Sequence, residues 1–375
     1  MKKLNIPFGR PDIRTEDYKR LKNSIKSGWL THGPNSKILE NLFKGYTNSK
    51  YATTVSNCTS GLHLACLALG LKAGDEVIVP AQTHVATAHA AELTGAKVVF
   101  TDVDKLTGNI SLSQIKKKIT NKTKCILTVH MSGFACSMID IYKFCKKKKI
   151  SIIEDCAHGL GTRYKGMHVG NFGICGVFSF YPTKQITTGE GGVVISNNKK
   201  FIDKIKVIKA IGVDTPPEKR KIPGVYDVTN LGLNYRLTDF QSALAIGQLK
   251  RYNKNLLKRR LNAKEYLKLF SKNKNIKFQN FQNDHSYFIF QIFLKNKKIR
   301  DKLIVELKEK GIGSSIHYAK CVPSMSYYKK KYKLNLKHFK NAKNYGDTSI
   351  SLPVHQYISK KMIRSICDFI NKKTI

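Results

Sequence analysis

The stretch VFSFYPTKQITTGEGGVVI, residues 177–195, places a single lysine between two apolar segments. A strand-like apolar run ends at Ser179, and Lys184 follows five residues later in a turn marked by Pro182. A glycine-rich turn then leads into a second, β-branched run. This pattern predicts a hydroxyl and a lysine at the rim of a sheet. A lysine kept partly out of water has a lowered pKa and can act as a nucleophile, although an ordinary loop lysine is the alternative.

The part of the chain that precedes this stretch alternates strand-like and helix-like segments. Continuous apolar strand runs occur at residues 51–55, 77–80, 97–101, 125–130 and 150–155. Such alternation is typical of an α/β fold whose mainly parallel sheet is covered by helices on both faces. Ligands of these sheets bind at the carboxyl ends of the strands, and Asp155 and Ser179 fall at such ends.

A long helical pattern at about residues 240–270 divides the chain into two predicted domains. We expect a large domain of residues 1–245, which includes an N-terminal helical segment, and a smaller C-terminal α+β domain of residues 246–375. An amphipathic helix with Thr15 as its cap opens the first domain. Residues 197–230 are predicted to be irregular.

The composition is that of a folded protein with a large excess of positive charge. Hydrophobic residues make up 41% of the chain, which excludes a disordered protein, and 67 Lys and Arg against 25 Asp and Glu give a formal net charge of +42. Such a charge can indicate a nucleic acid or another anionic partner. The lysines are spread along the chain, however, with dense runs at residues 146–149 and 329–331. We therefore interpret them mainly as a solvated surface and expect neither a nucleic acid nor a membrane as partner.

The cysteines and the hydropathy pattern bear on the cellular compartment. The chain has nine cysteines and no C-x-x-C pair, so we expect reduced, mostly buried thiols and no metal site. The first residues lack the apolar region of a signal peptide, and no apolar run is long enough to span a membrane. These features favour a cytoplasmic protein.

A second candidate segment, SNCTSG at residues 56–61, joins a predicted strand to a predicted helix. Small polar residues at a helix N-terminus offer backbone N–H groups and hydroxyls to an anion such as phosphate. Simple capping of the helix is the alternative.

A rim lysine, a carboxylate at a strand end and a phosphate-type helix start together predict a pocket for pyridoxal 5′-phosphate (PLP). In such a pocket Lys184 binds the cofactor as a Schiff base and then serves as the base that moves a proton. Asp155 pairs with the pyridine nitrogen and keeps the ring an electron sink. The phosphate is held by three hydroxyl residues, Thr59, Ser60 and Ser179.

The sequence resembles the DegT/StrS family of PLP-dependent nucleotide-sugar aminotransferases, which have the fold type I architecture. The resemblance covers nearly the whole chain, and its motifs occur together in a specific order. They are SGWLTHGP (27–34), SNCTSGLHLA (56–65), GDEVIVP (74–80), IEDCAHG (153–159), FSFYPTK (178–184), GEGG (189–192) and LNYRLTD (233–239).

The resemblance implies roles for four further residues. His84 stands where an aromatic ring stacks on the pyridine, unless it is a surface loop residue. His158 stands where a side chain hydrogen-bonds the ring hydroxyl, unless it only orients Asp155. Asn234 stands where the family brings an Asn from the neighbouring subunit to the phosphate, which implies a homodimer with shared sites. Cys58 replaces a frequent Gly, and its side chain is expected to narrow the phosphate turn.

The resemblance also implies the substrates, which are L-glutamate as amino donor and a nucleotide-linked keto-deoxysugar as acceptor. The product is then a nucleotide-linked amino sugar for surface polysaccharide, such as lipopolysaccharide, or for a glycosylated metabolite. The Thr-Thr pair before Gly-Glu-Gly-Gly resembles members that act at C4 more than those that act at C3. Tyr181, Arg236 and Tyr318 are candidate contacts to the sugar or diphosphate, and each also has a structural explanation.

Three other functions compete with amino transfer. A sister dehydratase branch uses pyridoxamine phosphate and replaces the Schiff-base lysine with histidine, so Lys184 disfavours it. A basic nucleic-acid-binding or regulatory protein on the same fold would bind DNA or RNA with strong salt dependence. The third alternative is a structural α/β protein with an empty pocket.

Overall fold

A seven-stranded sheet is the centre of the computed structural model, which describes residues 3–215 and 220–374. The strands within residues 51–196 are β1 (Tyr51–Val55), β2 (Glu76–Pro80), β3 (Lys97–Thr101), β4 (Thr123–Val129), β5 (Ser151–Asp155), the hairpin strands β6 (Arg163–Tyr164) and β7 (Met167–His168), β8 (Cys175–Ser179) and β9 (Gly192–Ser196). The sheet order is β1-β9-β8-β5-β4-β2-β3. Of its strands only β9 runs antiparallel to its neighbours, which confirms the predicted mainly parallel sheet.

Helices lie between and beyond these strands. Their bounds are α1 (Thr15–Lys26), α2 (Pro34–Thr47), α3 (Cys58–Ala68), α4 (Val85–Glu92), α5 (Leu112–Lys116), α6 (Met138–Lys148), α7 (Lys199–Ile208), α8 (Asp239–Phe270), α9 (Lys297–Glu309), α10 (Ser326–Tyr332), α11 (Lys340–Thr348) and α12 (Lys360–Thr374). No helix within the described part of the chain has both the length and the apolar character needed to cross a membrane.

The sheet is buried on both faces because alternate side chains of its strands enter different cores. Cys125 and Leu127 of β4 pack with residues of α3, α4 and α7. Ile126, which lies between them, packs on the opposite face with residues of α6. Continuous apolar strands are therefore explained by helices on both sides, as the sequence predicts.

The stretch predicted to be irregular contains a helix, α7, so this prediction was wrong for its first part. Phe201, Ile202, Ile205 and Ile208 repeat at helical spacing and are buried against the sheet. Asn198 caps the helix by accepting the backbone N–H of Phe201. Residues 216–219 of the same stretch lie outside the described residues.

The N-terminal helix also differs from its prediction at its first turn. Thr15 is the first helical residue, and Arg14 rather than Thr15 is the N-cap. The Asp17 carboxylate accepts the backbone N–H of Arg14 at 2.9 Å, so an acid inside the first turn does the capping.

The C-terminal part of the chain forms a second, antiparallel sheet. Its order is β10 (Lys277–Phe278), β11 (Phe290–Phe293) and β12 (Ser349–Leu352), and it packs with α9 and α12. Helix α8 packs against α1, α2 and α12. The predicted boundary after residue 245 falls inside α8, and the division into two domains stays a prediction.

Two neighbouring strand ends position the candidate site. In the parallel register of β5 and β8, Asp155 pairs with Val177, so Ser179 extends just beyond the carboxylate at the same edge of the sheet. The nine cysteines are free, and Cys58, at this edge, is the one that is only partly buried. The carboxyl edge therefore gathers the candidate residues, as expected for this class of sheet.

Candidate active site

Lys184 follows β8 in a turn closed by its own backbone, whose N–H donates to the carbonyl of Tyr181 at 2.9 Å. Its Nζ lies 4.4 Å from the centre of the Phe288 ring. Burial lowers the pKa of Lys184 from 10.5 to about 8, although Cys58 and Asp155 act in the opposite direction. Near neutral pH the amine is therefore partly deprotonated and nucleophilic.

Asp155 ends β5 with its carboxylate held by two donors. It is 4% exposed and accepts the Thr87 hydroxyl at 2.8 Å and the backbone N–H of Ala157 at 3.0 Å. Thr87 in turn shares a hydrogen bond of 2.7 Å with Thr83. These contacts fix the carboxylate in one orientation, close enough to Lys184 to raise the pKa of its amine.

His158 is oriented from both sides of its ring. The ring stacks on Phe288 with centres 4.2 Å apart, and Nδ1 accepts the backbone N–H of Ser132 at 3.2 Å. Burial and the charge of Lys184 hold the pKa of His158 well below its usual range, so the ring is neutral. With Nδ1 accepting, Nε2 carries the proton and faces the Tyr318 hydroxyl at 3.3 Å. The hydrogen bonds of the two ring nitrogens are therefore made with Ser132 and Tyr318 and not with Asp155.

His84 and Tyr318 form another wall of the site. Their rings meet edge to face, with centres 5.4 Å apart. His84 is the N-cap of α4 and accepts the backbone N–H of Ala86 at Nδ1, 3.3 Å away. Desolvation and then the charge of Lys184 lower the pKa of His84. The imidazole is therefore neutral and near Lys184, although His84 is exposed, and its stacking on the cofactor ring stays a prediction.

The predicted phosphate site is the N-terminus of α3, which begins at Cys58, four residues earlier than the sequence pattern suggests. The Asn57 side chain accepts the N–H of Ser60 at 2.8 Å, so the preceding N–H groups point out of the helix, where its dipole favours an anion. Gly192 connects this turn to Ser179. It pairs with Ser179 across the sheet, and a Cβ added to Gly192 would lie 3.1 Å from the Cys58 nitrogen. Only glycine allows this close approach.

Cys58 takes a different direction from the one expected. Its Sγ lies 4.0 Å from the Asp155 carboxylate and 3.8 Å from the carbonyl of Val177. The side chain therefore faces Asp155 and not the phosphate turn. Burial, followed by the charge of Asp155, raises the pKa of the thiol well above its usual range.

Three predicted residues lie outside this group. Tyr181 is 48% exposed and is connected to Lys184 through its backbone. The charge of Arg236 contributes to lowering the pKa of Lys209, a buried lysine that donates a hydrogen bond to Thr53 of β1. Asn234 is exposed, and within the described residues its side chain makes no hydrogen bond. In a single chain these residues are therefore not joined to the Lys184–Asp155 pair.

Sequence reasoning missed Thr87, Phe288 and Ser132. The spacing of Thr83 and Thr87, four residues apart after a strand, is a signal that could have identified a hydrogen-bonded pair. Phe288 and Ser132 have no such signal, because each reaches His158 from a distant part of the chain.

The profile of the DegT/DnrJ/EryC1/StrS aminotransferase family matches residues 11–371. The chain belongs to this family. It is 35% identical to GDP-perosamine synthase of Escherichia coli O157:H7, over 98% of each chain. Members of the DegT/DnrJ/EryC1/StrS family are PLP-dependent sugar aminotransferases, so this protein is an enzyme of that type with the fold type I architecture.

Solved structures of similar proteins agree with this assignment. Spr1654 of Streptococcus pneumoniae, described as a sugar aminotransferase and solved in its PLP form, has a TM-score of 0.92 at 27% identity over 99% of each chain. PseC of Helicobacter pylori, an aminotransferase involved in the biosynthesis of pseudoaminic acid, has a TM-score of 0.90 at 28% identity over 99% of each chain.

The chemistry of the site fits PLP, the cofactor of the family. A lysine of lowered pKa suits covalent attachment, and a buried, oriented carboxylate suits a protonated ring nitrogen. The open turn at the start of α3 suits a phosphate group. These three features lie at the carboxyl edge of the sheet.

The rate at which the apoenzyme takes up PLP is expected to rise with pH and to level off above about 8, the lowered pKa of Lys184. Only the neutral amine attacks, so below the pKa each pH unit increases the reactive fraction about tenfold. Stopped-flow absorbance at a series of pH values measures the midpoint. A rate that keeps rising toward the ordinary lysine value of 10.5 would contradict the lowered pKa.

Cys58 is expected to be the first cysteine that a thiol reagent modifies in the native apoenzyme, because the other eight are buried. Its raised pKa keeps the thiolate scarce, so the reaction is slow and is followed at alkaline pH. Bound PLP should slow this modification by about tenfold or more, since Sγ faces the Asp155 side of the site. Peptide mapping after iodoacetamide treatment, with and without PLP, measures both effects. Equal modification in the two samples would place Cys58 outside the cofactor space, and Cys58→Ser is the control.

Proposed function

We propose that the enzyme moves an amino group from L-glutamate to the C4 keto group of a nucleotide-linked keto-deoxysugar, for surface polysaccharide such as lipopolysaccharide. The proposal rests on the pairing of Lys184, whose pKa is lowered, with the buried carboxylate of Asp155 in a member of this family. Similarity to a GDP-perosamine synthase supports a nucleotide-linked acceptor. The sequence TTGEGG at residues 187–192 supports C4 over C3.

In this proposal each residue around the cofactor ring has one task. When bound, PLP supplies the electron sink for the bond broken at the amino-bearing carbon. Lys184 holds the cofactor through Nζ and later moves the substrate proton with the same amine. Asp155 would hold a proton at the pyridine nitrogen, and the Nε2–H of His158 would donate to the ring hydroxyl in place of the Tyr318 hydroxyl that it faces. His84 provides a neutral ring beside them.

The phosphate is assigned to hydroxyl groups and to the helix start. Thr59 and Ser60 lie in the first turn of α3, and Ser179 is connected to that turn through Gly192. Hydroxyl and N–H donors together bind a phosphate strongly and fix its position. Asn234 of the partner subunit would complete the cradle.

The decisive experiment combines spectroscopy with product analysis. We expect L-glutamate, and not unrelated amino acids, to bleach the visible absorption band of the PLP-loaded enzyme. Nucleotide-linked 4-keto and 3-keto deoxysugars are then offered separately, and NMR locates the new amino group. Amination at C3 would overturn the C4 assignment, and loss of a hydroxyl without gain of nitrogen would identify the dehydratase reaction. Tyr181, Arg236 and Tyr318 remain the candidate sugar or diphosphate contacts.

We also propose that the enzyme is a cytoplasmic homodimer. In a single chain large apolar side chains face solvent, among them Trp29 (51% exposed) and Leu231 (97% exposed). Such surface is commonly covered by a partner. Asn234 lies three residues beyond Leu231, so a second copy that covers this surface brings Asn234 to the interface. Free thiols in all nine cysteines support a reducing compartment.

Mixed dimers test whether the sites are shared. Lys184→Ala and Asn234→Ala are each expected to lower activity when pure. Heterodimers form half of a re-equilibrated mixture, and one of their two sites receives an intact Lys184 and an intact Asn234. Activity should therefore return to about a quarter of the wild-type value. A mixture that remains as inactive as its components would show that Asn234 does not act across the interface.

A further inference from the structure

Folding gathers two lysine-rich segments that are separate in the sequence. Strands β4 and β5 are parallel neighbours, and Cys125 pairs with Ser151 at their amino ends. The residues that lead into these strands, 116–124 and 143–149, therefore lie at the same edge of the sheet. The Nζ of Lys116 confirms their proximity, since it lies 5.5 Å from the centre of the Phe144 ring.

We call residues 116–124 and 143–149 the basic face. Each segment contains five lysines, and neither contains Asp, Glu or Arg. Nine of the ten lysines are exposed, and Lys118 is partly exposed. Within residues 3–215 and 220–374 none of the ten forms an ion pair, whereas exposed lysines on other helices do, such as Lys199 with Asp203. Glu76 lies close enough to Lys122 for their charges to interact, but its ion pair is with Lys97, so the ten lysines still leave a large positive excess on this face.

The basic face lies opposite the active site. Asp155 and Ser179 mark the carboxyl edge of the sheet, whereas the basic face adjoins the amino ends of β4 and β5. A flat partner could therefore cover the basic face and leave the entrance to the active site open.

The composition of the face favours one class of partner. Lysine is a point charge that interacts with a diffuse negative surface, whereas arginine is preferred where individual phosphates of nucleic acid are gripped by two hydrogen bonds. Tyr142 is 42% exposed and lies one helical turn from Lys146 on α6, so the face also has an aromatic ring of the kind enriched at membrane interfaces.

Because folding clusters lysines that the sequence spreads along the chain, we propose, against the expectation from the sequence, that the basic face docks the enzyme on the surface of an anionic phospholipid bilayer. Clusters of lysines on a helix and its flanking loops bind such surfaces through the negative potential of the headgroups. The attraction decays within a Debye length of about 10 Å at 0.1 M salt, so binding must be reversible by salt. The proposal is independent of the sugar acceptor, because it does not involve any residue of the active site.

Vesicle co-sedimentation of the holoenzyme tests the proposal. The probes are phosphatidylcholine vesicles with and without phosphatidylglycerol, at low and high salt. The test variant changes the four lysines of residues 146–149 to glutamine. The control variant removes the same charge from a face where acids such as Asp301 and Glu306 are interspersed, by changing Lys295, Lys297, Lys298 and Lys302 to glutamine.

We expect the holoenzyme to sediment with the anionic vesicles only, and the test variant to bind them about tenfold or more weakly than the control variant. Both variants should keep the wild-type amino transfer rate in solution. Equal losses in the two variants would show that net charge alone is responsible and would overturn the proposal, as would absence of binding to anionic vesicles. The proposal would also be overturned if an RNA oligonucleotide bound more tightly through the same four lysines and displaced the vesicles. That result would assign the basic face to nucleic acid.

Discussion

Lys184→Ala is expected to abolish amino transfer, with a loss of about 10⁴-fold or more in kcat. The substitution removes the amine that attaches the cofactor and that moves the substrate proton, and within the described residues no other lysine amine lies over the Phe288 ring. Fold and stability should change little, because the Lys184 side chain makes no hydrogen bond within the described residues. Steady-state kinetics with glutamate and the keto sugar measure the loss.

A second measurement separates this role from a general defect. Borohydride reduction of the PLP-loaded wild type, followed by peptide mass analysis, should find the cofactor on Lys184 only. The matched control is Lys200→Ala, which removes an exposed lysine of α7 and should keep both the adduct and the rate. An adduct on a different lysine in Lys184→Ala, with activity retained, would refute the assignment.

Asp155→Asn is expected to lower kcat by about 10²- to 10³-fold while the protein stays folded. The amide has the same shape as the carboxylate, but it lacks the negative charge that holds a proton at the ring nitrogen. Thermal unfolding should show a small change, because the side chain remains at the end of β5. Full activity in this variant would exclude Asp155 from the cofactor site.

The same variant has a second, independent consequence for Lys184. The charge of Asp155 raises the pKa of Lys184 against the effect of burial. Its removal must therefore lower that pKa further, and the midpoint of PLP uptake should move below about 8. A shift to higher pH would contradict the geometry.

Substitutions of Thr87 separate the effect of its hydrogen bond to Asp155 from the effect of the Asp155 charge. Thr87→Val keeps the charge but removes the hydroxyl that donates to Asp155, so its loss of rate should be smaller, about tenfold. Thr87→Ser restores the hydroxyl and should recover most of the rate. If Thr87 contributed only by packing, Thr87→Ser would not retain a higher rate than Thr87→Val.

The fold could be predicted from the sequence because its strands are short, continuous apolar runs. The bounds of β1 and β3 agree with their predicted bounds, and those of the other parallel strands differ by one or two residues. A strand that is buried on both faces is apolar at nearly every position, so it can be recognised in the sequence as a continuous apolar run. Helix α7 was missed because residues 197–230, which contain several Pro and Gly, were predicted to be irregular as one segment.

The candidate site was predictable only where its residues stand in motifs. Asp155 ends β5 and Lys184 follows β8. Because these strands are parallel neighbours, the topology places both residues at the same edge of the sheet. Phe288 belongs to the C-terminal part of the chain and reaches both Lys184 and His158. Contacts of this kind depend on how distant segments pack, which neither periodicity nor spacing records.

The antiparallel strand β9 has a consequence for the order in which this enzyme is assembled. Strand β1 joins the sheet only through β9, and Gly192 of β9 is the residue that brings Ser179 to the first turn of α3. A nascent chain that has reached only β8 contains β8 and α3, which pack directly on each other, but it lacks β9, whose Gly192 pairs with Ser179. Loop closure over such a distance is slow and cooperative. We therefore expect a chain truncated before β9 to lack a complete phosphate cradle, because Gly192 and its pairing with Ser179 are missing.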